Sequence, residues 1–182
     1  MGLPPSTLHP ISCYGVPYTT IDGARHRILP SDATACSADI LGTMNEPTSL
    51  PADVRALLEA PNYVHLSTIR ADGTPRNWVV WVGLEGDRIL VCTGRASLKG
   101  RDMDRNPAVA LSVADFENPY RMAAVQGRVV EVRDDADCAY MDVISHKYTG
   151  KPFPARGPGR VCFVVEAVKA GARSLDFEHR PG

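Results

Sequence analysis

Short runs of alternating apolar and polar residues occupy much of the chain after residue 62, and this spacing predicts β-strands. The runs cover residues 63–69, 76–82, 88–93, 108–113, 122–132 and 160–168, with a weaker run over 172–177. Asp72-Gly73 and residues 85–87 separate the first three runs and favour tight turns. Because short turns join antiparallel neighbours, we expect the first three strands to form a meander.

Three segments between these runs have the spacing or the end signals of helices. They span residues 51–60, 97–105 and 134–148. Asp134 or Asp135 is the expected N-cap of the third helix, and Gly150 follows its last turn. The element order predicts a mainly β, α+β fold, with a six-stranded antiparallel barrel and flanking helices.

Residues 1–48 differ from the rest of the chain because they contain six prolines, no lysine and no sustained period of 2 or 3.6. This composition predicts an N-terminal extension that is largely irregular. The barrel domain is expected to occupy residues 49–182.

Composition excludes several classes of protein. A chain of 182 residues with 44% hydrophobic residues buries a core without disulfides or structural metal. The net charge of −1 argues against a general nucleic-acid binder, which needs a basic excess to neutralise phosphates. No run of eighteen apolar residues and no secretory leader is recognisable, so we expect a cytoplasmic protein without a membrane span.

The five cysteines are Cys13, Cys36, Cys92, Cys138 and Cys162. Their odd number, wide spacing and lack of a CxxC motif disfavour a disulfide framework and a zinc site, and we expect no metal. Cys92 and Cys162 lie in apolar strand-like runs and are expected to fill the core.

Residues 93–107 place hydroxyl and cationic side chains around the start of the second helix. Unpaired backbone amides and the helix dipole attract anions at such a position. The candidate phosphate-binding residues are Thr93, Arg95, Ser97, Lys99 and Arg101.

An alternative remains open for the same stretch, because Asp102 and Asp104 could pair with the arginines on a solvated helix face.

The second strand carries a further set of candidates, Arg76-Asn77-Trp78-Val79. Strand alternation places Arg76 and Trp78 on one face and Asn77 and Val79 on the other. Trp78 could stack on a flat ring or fill the barrel core.

Five sequence patterns occur in a characteristic order between residues 50 and 166: Leu66-Ser67-Thr68-Ile69; Asp72-Gly73-Thr74-Pro75 with Val80-Trp81; Thr93 with Ser97-Leu98-Lys99-Gly100-Arg101; Asn106-Pro107; and Val125-Gln126-Gly127-Arg128-Val129. In this order and spacing the chain resembles the flavin/deazaflavin oxidoreductase family, which has the pyridoxamine 5'-phosphate oxidase-like split β-barrel.

The resemblance implies a homodimer with two cofactor sites at the subunit interface. It assigns the cofactor phosphate to residues 93–101, and the isoalloxazine or deazaflavin ring to Arg76, Asn77, Trp78, Val79 and Gln126.

The chain lacks the C-terminal Trp and Arg-Leu-x-Pro pattern of true pyridoxamine phosphate oxidases, which disfavours vitamin B6 oxidation. It looks closer to the actinobacterial branch that uses the deazaflavin coenzyme F-420, and sixteen arginines against four lysines fit that source.

The resemblance therefore implies an oxidoreductase that transfers hydride from reduced F-420 to an unsaturated or quinone-like small molecule. Two alternatives remain: an FMN-dependent reductase or oxidase on the same fold, and a non-catalytic carrier of a flavin, haem or lipid-like ligand.

No catalytic residue is assigned. If a protein acid takes part, the candidates are Tyr120, His146, Lys147 and Tyr148, each of which could instead have a packing or surface role.

Overall fold

The computed structural model describes residues 18–21, 24–27 and 48–180, which belong to two compact units. In the first unit, β1 (Tyr18–Ile21) pairs with β2 (Ala24–Arg27) in an antiparallel two-stranded sheet. These two strands lie within residues 1–48, which are expected to be largely irregular. Residues 1–17, 22–23 and 28–47, including Cys13 and Cys36, lie outside the described residues.

The second unit contains three helices and seven strands within residues 48–180. The helices are α1 (Ala52–Glu59), α2 (Leu98–Arg105) and α3 (Ala139–Thr149). The strands are β3 (Val64–Ile69), β4 (Pro75–Val80), β5 (Gly83–Glu85), β6 (Arg88–Gly94), β7 (Ala108–Ala114), β8 (Arg121–Asp134) and β9 (Arg160–Ser174).

The seven strands form one antiparallel sheet in the order β4-β3-β7-β8-β9-β6-β5. If the sheet were flat, its two edge strands would lie roughly 29 Å apart, six spacings of about 4.8 Å. Only Trp81 and Val82 separate these edge strands in the chain, and this connection spans at most about 11 Å. The sheet must therefore curve back on itself, as the strands of a barrel do.

The sheet has seven strands rather than the expected six. The expected meander of the first three predicted strands is also wrong, because β3 pairs with β4 but β6 pairs with β5 and β9. The additional strand, β5, has three residues, too few for an alternating pattern to reveal it. The two expected C-terminal runs belong to one continuous strand, β9, in which Val168 is the extra residue of a bulge opposite the Gln126/Gly127 step.

The third helix begins at Ala139 instead of residue 134, because β8 continues to Asp134, which pairs with Val161. The buried carboxylate of Asp135 accepts hydrogen bonds from the amides of Tyr140 (2.9 Å) and Met141 (3.2 Å). Asp135 therefore caps α3 through its side chain although it lies outside the helix.

The end of α3 matches its expected position. Gly150 follows the last turn in the left-handed conformation, with φ of 69°.

The core lies inside the curved sheet, where Phe163, Leu66 and Ile89 are fully buried and α1 contributes Leu58. Cys92 and Cys162 are direct partners in the pairing of β6 with β9 and belong to a smaller apolar cluster under α3, which confirms their expected packing role. The longest helix in the described part has 11 residues, and no helix there is long and apolar enough to cross a membrane.

Gly100 allows α2 to approach the end of β6 closely, and this contact generates a prediction. A Cβ at Gly100 would lie 2.5 Å from the carbonyl oxygen of Arg95 and 2.8 Å from that of Gly94, both backbone atoms. Alanine favours a helix by up to about 1 kcal/mol over glycine, but overpacking costs about 1–3 kcal/mol. We therefore expect Gly100→Ala to lower the free energy of unfolding in urea.

Arg101→Ala, at an exposed position of the same helix, is the control, because it introduces alanine into α2 without adding an atom near β6. Equal or greater stability of Gly100→Ala would contradict the close approach of α2 to β6.

Candidate functional site

The N-terminus of α2 follows the end of β6 after three residues, and Ser97 is its N-cap residue. The Ser97 Oγ accepts a hydrogen bond from the Gly100 amide at 3.1 Å and lies 3.2 Å from Thr93 Oγ1. The amides of Leu98 and Lys99 occupy the first turn, where a helix supplies no acceptor of its own. This helix start therefore offers backbone donors to an anion, as the sequence predicts.

The cationic side chains of the same segment have different roles. The Arg95 guanidinium donates two 3.1 Å hydrogen bonds to the Asp104 carboxylate, so the pairing of Asp104 with an arginine left open by the sequence does occur. Arg101 is exposed on α2. Lys99 is half-buried, and removal of its ammonium from water lowers the pKa of Lys99 below its ordinary value.

A buried carboxylate fixes α2 against the sheet. Asp102 Oδ2 accepts hydrogen bonds from Thr68 Oγ1 at 3.0 Å and from Arg76 Nη1 at 3.1 Å. Arg105 lies 3.6 Å from the other carboxylate oxygen. Arg76, expected at the cofactor ring, therefore forms a half-buried ion pair with α2.

Trp78 lies on the inner face of β4 and packs against the core, as one of the two sequence interpretations expected. Its Nε1 donates to Thr68 Oγ1 at 3.3 Å. The Lys99 ammonium lies 5.2 Å from the Trp78 ring centroid, and the Arg76 Cζ lies 5.7 Å from it. The indole thus joins the Asp102 network to Lys99 through cation–π contacts.

Asn77 and Val79 lie on the outer face of β4, so the expected alternation is confirmed. Val79 is 62% exposed, and the Asn77 amide donates to Ser67 Oγ at 2.9 Å. Strand pairing places Asn77 in one row across the sheet, followed by Ser67, Ala110, Gln126 and Lys169. Gln126 is therefore three strand spacings, roughly 14 Å, from Asn77.

That row crosses a groove of about 450 Å³ on the outer face of β3, β7, β8 and β9, which we call the outer groove. It is lined by His65, Ser67, Gln126 and Lys169, and otherwise mainly by small residues. His65 is the direct partner of Val79 in the β3–β4 pair.

A second depression of about 360 Å³ adjoins Lys99, and we call it the cationic cavity. Three expected site residues line it, Val79, Thr93 and Lys99, together with Gly94, which follows Thr93 in the chain. The remaining lining residues are Tyr63, Val80, Trp81, Cys92, Met141, Phe153 and Arg160. Val79 lines this cavity and its pairing partner His65 lines the outer groove, so the two depressions have lining residues on the adjacent strands β4 and β3.

Sequence reasoning missed Tyr63, Phe153 and Arg160. No local pattern links them to residues 93–99, because Arg160 reaches the cavity only through its pairing with Gly94 in the β6–β9 ladder. Such long-range registration is not visible in a single sequence.

Two candidate acids have packing roles. The half-buried Lys147 ammonium donates to the Leu58 carbonyl at 2.8 Å, and desolvation lowers the pKa of Lys147 to about 8. The Tyr148 hydroxyl donates to the Asn62 carbonyl at 2.8 Å, and its ring stacks on Trp81 with centroids 5.0 Å apart. These contacts attach α3 to the rest of the unit.

The other two candidates also contact neighbouring groups. His146 Nδ1 lies 2.7 Å from the Asp142 carbonyl oxygen within α3. Tyr120 packs edge-to-face on Phe177, with ring centroids 5.2 Å apart. Within residues 18–21, 24–27 and 48–180, no group of three or more His, Cys, Asp or Glu residues is arranged to hold a metal ion.

Residues 50–173 match the family described as pyridoxamine 5'-phosphate oxidase. The chain therefore belongs to the pyridoxamine 5'-phosphate oxidase family of oxidoreductases, and the resemblance read from its motifs is confirmed.

Two relatives of known name carry the same name. A pyridoxine/pyridoxamine 5'-phosphate oxidase of Methylibium petroleiphilum is 32% identical over 142 residues, covering 70% of this chain and 62% of the relative. The same name applies to a Cupriavidus pinatubonensis protein that is 35% identical over 104 residues, 57% of this chain and 45% of the relative. The chain thus spans less than two thirds of the length of these relatives.

Among solved structures, one described as an F-420 reductase is 33% identical and superposes with a TM-score of 0.61, covering 69% of this chain and 98% of that chain. A conserved hypothetical protein from Mycobacterium tuberculosis is 19% identical with a TM-score of 0.58, covering 74% of this chain and 98% of that one, and supports the fold.

The Asp102 network predicts a specific loss of stability. Asp102→Ala removes the acceptor of Thr68 and of the half-buried Arg76, and leaving such groups unpaired costs about 1–3 kcal/mol. We expect a decrease of this size in the free energy of unfolding measured with urea.

Asp104→Ala is the matched control on the same helix. It breaks only the more exposed Arg95 pair and should cost less than about 1 kcal/mol. Equal losses in the two variants would show that the Asp102 network does not hold α2 on the sheet.

Proposed function

We propose that this protein binds the phosphate of coenzyme F-420 at the start of α2 and transfers hydride from its reduced form to an unsaturated or quinone-like small molecule. One observation carries the proposal most strongly: Lys99 is half-buried beside unpaired first-turn amides, and burial alone accounts for the lowered pKa of Lys99. A phosphate there would favour the charged ammonium and accept the free amide donors.

The side chains around this helix start fit a phosphate. Thr93 and Lys99 line the same cavity, and the described residues that line it include no aspartate or glutamate. The two carboxylates nearest in sequence, Asp102 and Asp104, are already paired with Arg76 and Arg95. Their negative charges are therefore largely neutralised before a ligand arrives.

The ring of the cofactor is proposed to lie along β4 toward the outer groove. Asn77 and Val79 face outward on this edge strand, and an edge strand presents unpaired backbone donors and acceptors. Arg76 and Trp78 are proposed to act from the inner face, by fixing the position of β4 relative to Lys99. Gln126, in the same row as Asn77, is proposed to border the ring at the far end.

When bound, F-420 supplies the hydride from its ring, so the protein has to contribute orientation and exclusion of water. The roles of Lys147 and Tyr148 in packing are consistent with a reaction that needs no dedicated protein acid. The 33% identical structure described as an F-420 reductase supports this choice of cofactor.

FMN-dependent reduction or oxidation is the second candidate. The observation that favours it is the family itself, together with relatives named as pyridoxine/pyridoxamine 5'-phosphate oxidases. FMN offers a phosphate and a tricyclic ring to the same residues.

We further propose that two copies of the chain associate through the outer groove, which places a cofactor site at each subunit boundary. Small residues line this face, among them Ala110, Ser112, Ala124 and Gly171, so a second backbone can approach closely. A ring lying over the row of Asn77 and Gln126 would be covered on its outer side by the second copy.

The cofactor assignment is tested by titrating purified protein with F-420, FMN and riboflavin, which lacks the phosphate. We expect Lys99→Ala to weaken binding of F-420 and FMN by about 1–3 kcal/mol, the range for a charged hydrogen bond, and to leave riboflavin binding nearly unchanged. Fluorescence quenching measures each dissociation constant.

The exposed Lys151→Ala variant is the control for loss of a positive charge. Unchanged cofactor affinity in a folded Lys99→Ala protein would refute the phosphate site. Selective binding of F-420 by the unmodified protein would support the deazaflavin reductase, selective binding of FMN would favour the flavin enzyme, and binding without turnover would indicate a carrier.

The proposed association predicts that Ala124→Arg produces a monomer. A long charged side chain in the middle of the outer groove would be buried without a partner in the dimer. Sedimentation velocity should show the mass falling by half, with F-420 binding weakened at the same time.

Arg128→Ala, on the same strand but outside the residues that line the outer groove, should leave the mass unchanged. A dimeric Ala124→Arg variant would argue against association through this face.

A further inference from the structure

The side chain of Arg160 contains a buried hydrogen-bond donor without a partner among the described residues. Its Nε is buried and has no hydrogen-bond partner among the described residues, the only such side-chain atom found there. Its Cζ lies 4.5 Å from the centroid of the Phe153 ring. Buried donors without acceptors are rare in folded proteins, so this one indicates a missing partner.

Arg160 lies at the wall of the cationic cavity. As the first residue of β9, it pairs with Gly94, the last residue of β6, and so lies across the ladder from the start of α2. Lys99 is the other cation that lines this cavity. If Lys99 binds the cofactor phosphate, Arg160 remains available for a second anionic group.

The other walls determine the shape of that ligand. Three aromatic side chains line the cavity, those of Tyr63, Trp81 and Phe153. Tyr148 covers one face of Trp81, with an interplanar angle of 7°, which holds the indole in a fixed orientation. Aromatic walls favour a flat, conjugated body, while the guanidinium forms paired hydrogen bonds with a carboxylate.

We propose that Arg160 binds a carboxylate in the cationic cavity, and that the aromatic walls favour a carboxylate attached to a planar, conjugated body. This carboxylate belongs either to the molecule that accepts the hydride, whose flat body would lie against the aromatic walls, or to the flexible tail of F-420, which carries carboxylates beyond its phosphate. Both assignments rest on the proposed function, whereas binding of a carboxylate by Arg160 does not.

Two small probes test the binding itself without any cofactor. trans-Cinnamate has a flat conjugated body and a carboxylate, and cinnamamide is its uncharged counterpart. Both tryptophans of the chain are close to the site, since Trp81 lines the cavity and Trp78 lies under Lys99, so their fluorescence reports binding. We expect cinnamate to bind about 10-fold more tightly than cinnamamide, because a charged hydrogen bond contributes that much or more.

Arg160→Gln should weaken cinnamate binding about 10-fold and change cinnamamide binding less than about 3-fold. Arg160→Lys retains the charge without the paired donors and should show an intermediate loss, which provides a second variant if glutamine prevents folding. Arg70→Gln, at the exposed β3–β4 turn, is the control. Equal affinity for the two probes, or cinnamate affinity that is insensitive to Arg160, would overturn the proposal.

Cofactor titrations of the same variants identify the source of the carboxylate. A loss of about 10-fold for F-420 with FMN unaffected would assign it to the cofactor. Unchanged cofactor affinity, with weaker cinnamate binding to cofactor-loaded Arg160→Gln, would assign it to the hydride acceptor. Cinnamate binding that depends on Arg160, in a protein that binds neither cofactor, would support the carboxylate site and refute the proposed function separately.

Discussion

The two-residue connection between β4 and β5 determines the form of the sheet and, through it, the position of the site. Because the edge strands of a seven-stranded sheet are joined by Trp81 and Val82 alone, the sheet has to curve until β4 approaches β6. This curvature brings Trp78 on β4 close to Lys99, which lies in the first turn of α2 shortly after the end of β6. A flat sheet with the same pairing would separate these two residues by most of its width.

Once the sheet has curved, Asp102 determines which cations remain for a ligand. Its buried carboxylate needs hydrogen-bond donors, and it takes them from Thr68 and Arg76. Asp104 engages Arg95 in the same way at the surface. The helix therefore uses its neighbouring arginines to neutralise its own acids, and Lys99 retains a charge without a carboxylate partner in the described region.

Local chemistry made part of this predictable from sequence. The start of α2 beside Ser97, the alternation along β4 and the position of Gly150 after α3 each depend on residues a few positions apart, and each lies within one residue of where it is expected. The short strand β5 and the approach of Arg160 to Gly94 depend on pairing between distant strands, which leaves no local pattern. For a similar reason the sequence does not show whether the arginines near α2 bind a phosphate or pair with Asp102 and Asp104. Charge alone does not tell which carboxylate an arginine will contact.

The cationic cavity is a place where folding alone would favour a different sequence. The described residues that line it include two cations, Lys99 and Arg160, and no aspartate or glutamate, and the buried Nε of Arg160 is unpaired. An apolar or paired residue at position 160 would avoid that cost. Sites that break the rules of stable packing are the places where function is expected. Since an anion would restore the missing hydrogen bonds and offset the repulsion between Lys99 and Arg160, the cavity is better suited to a bound state than to an empty one.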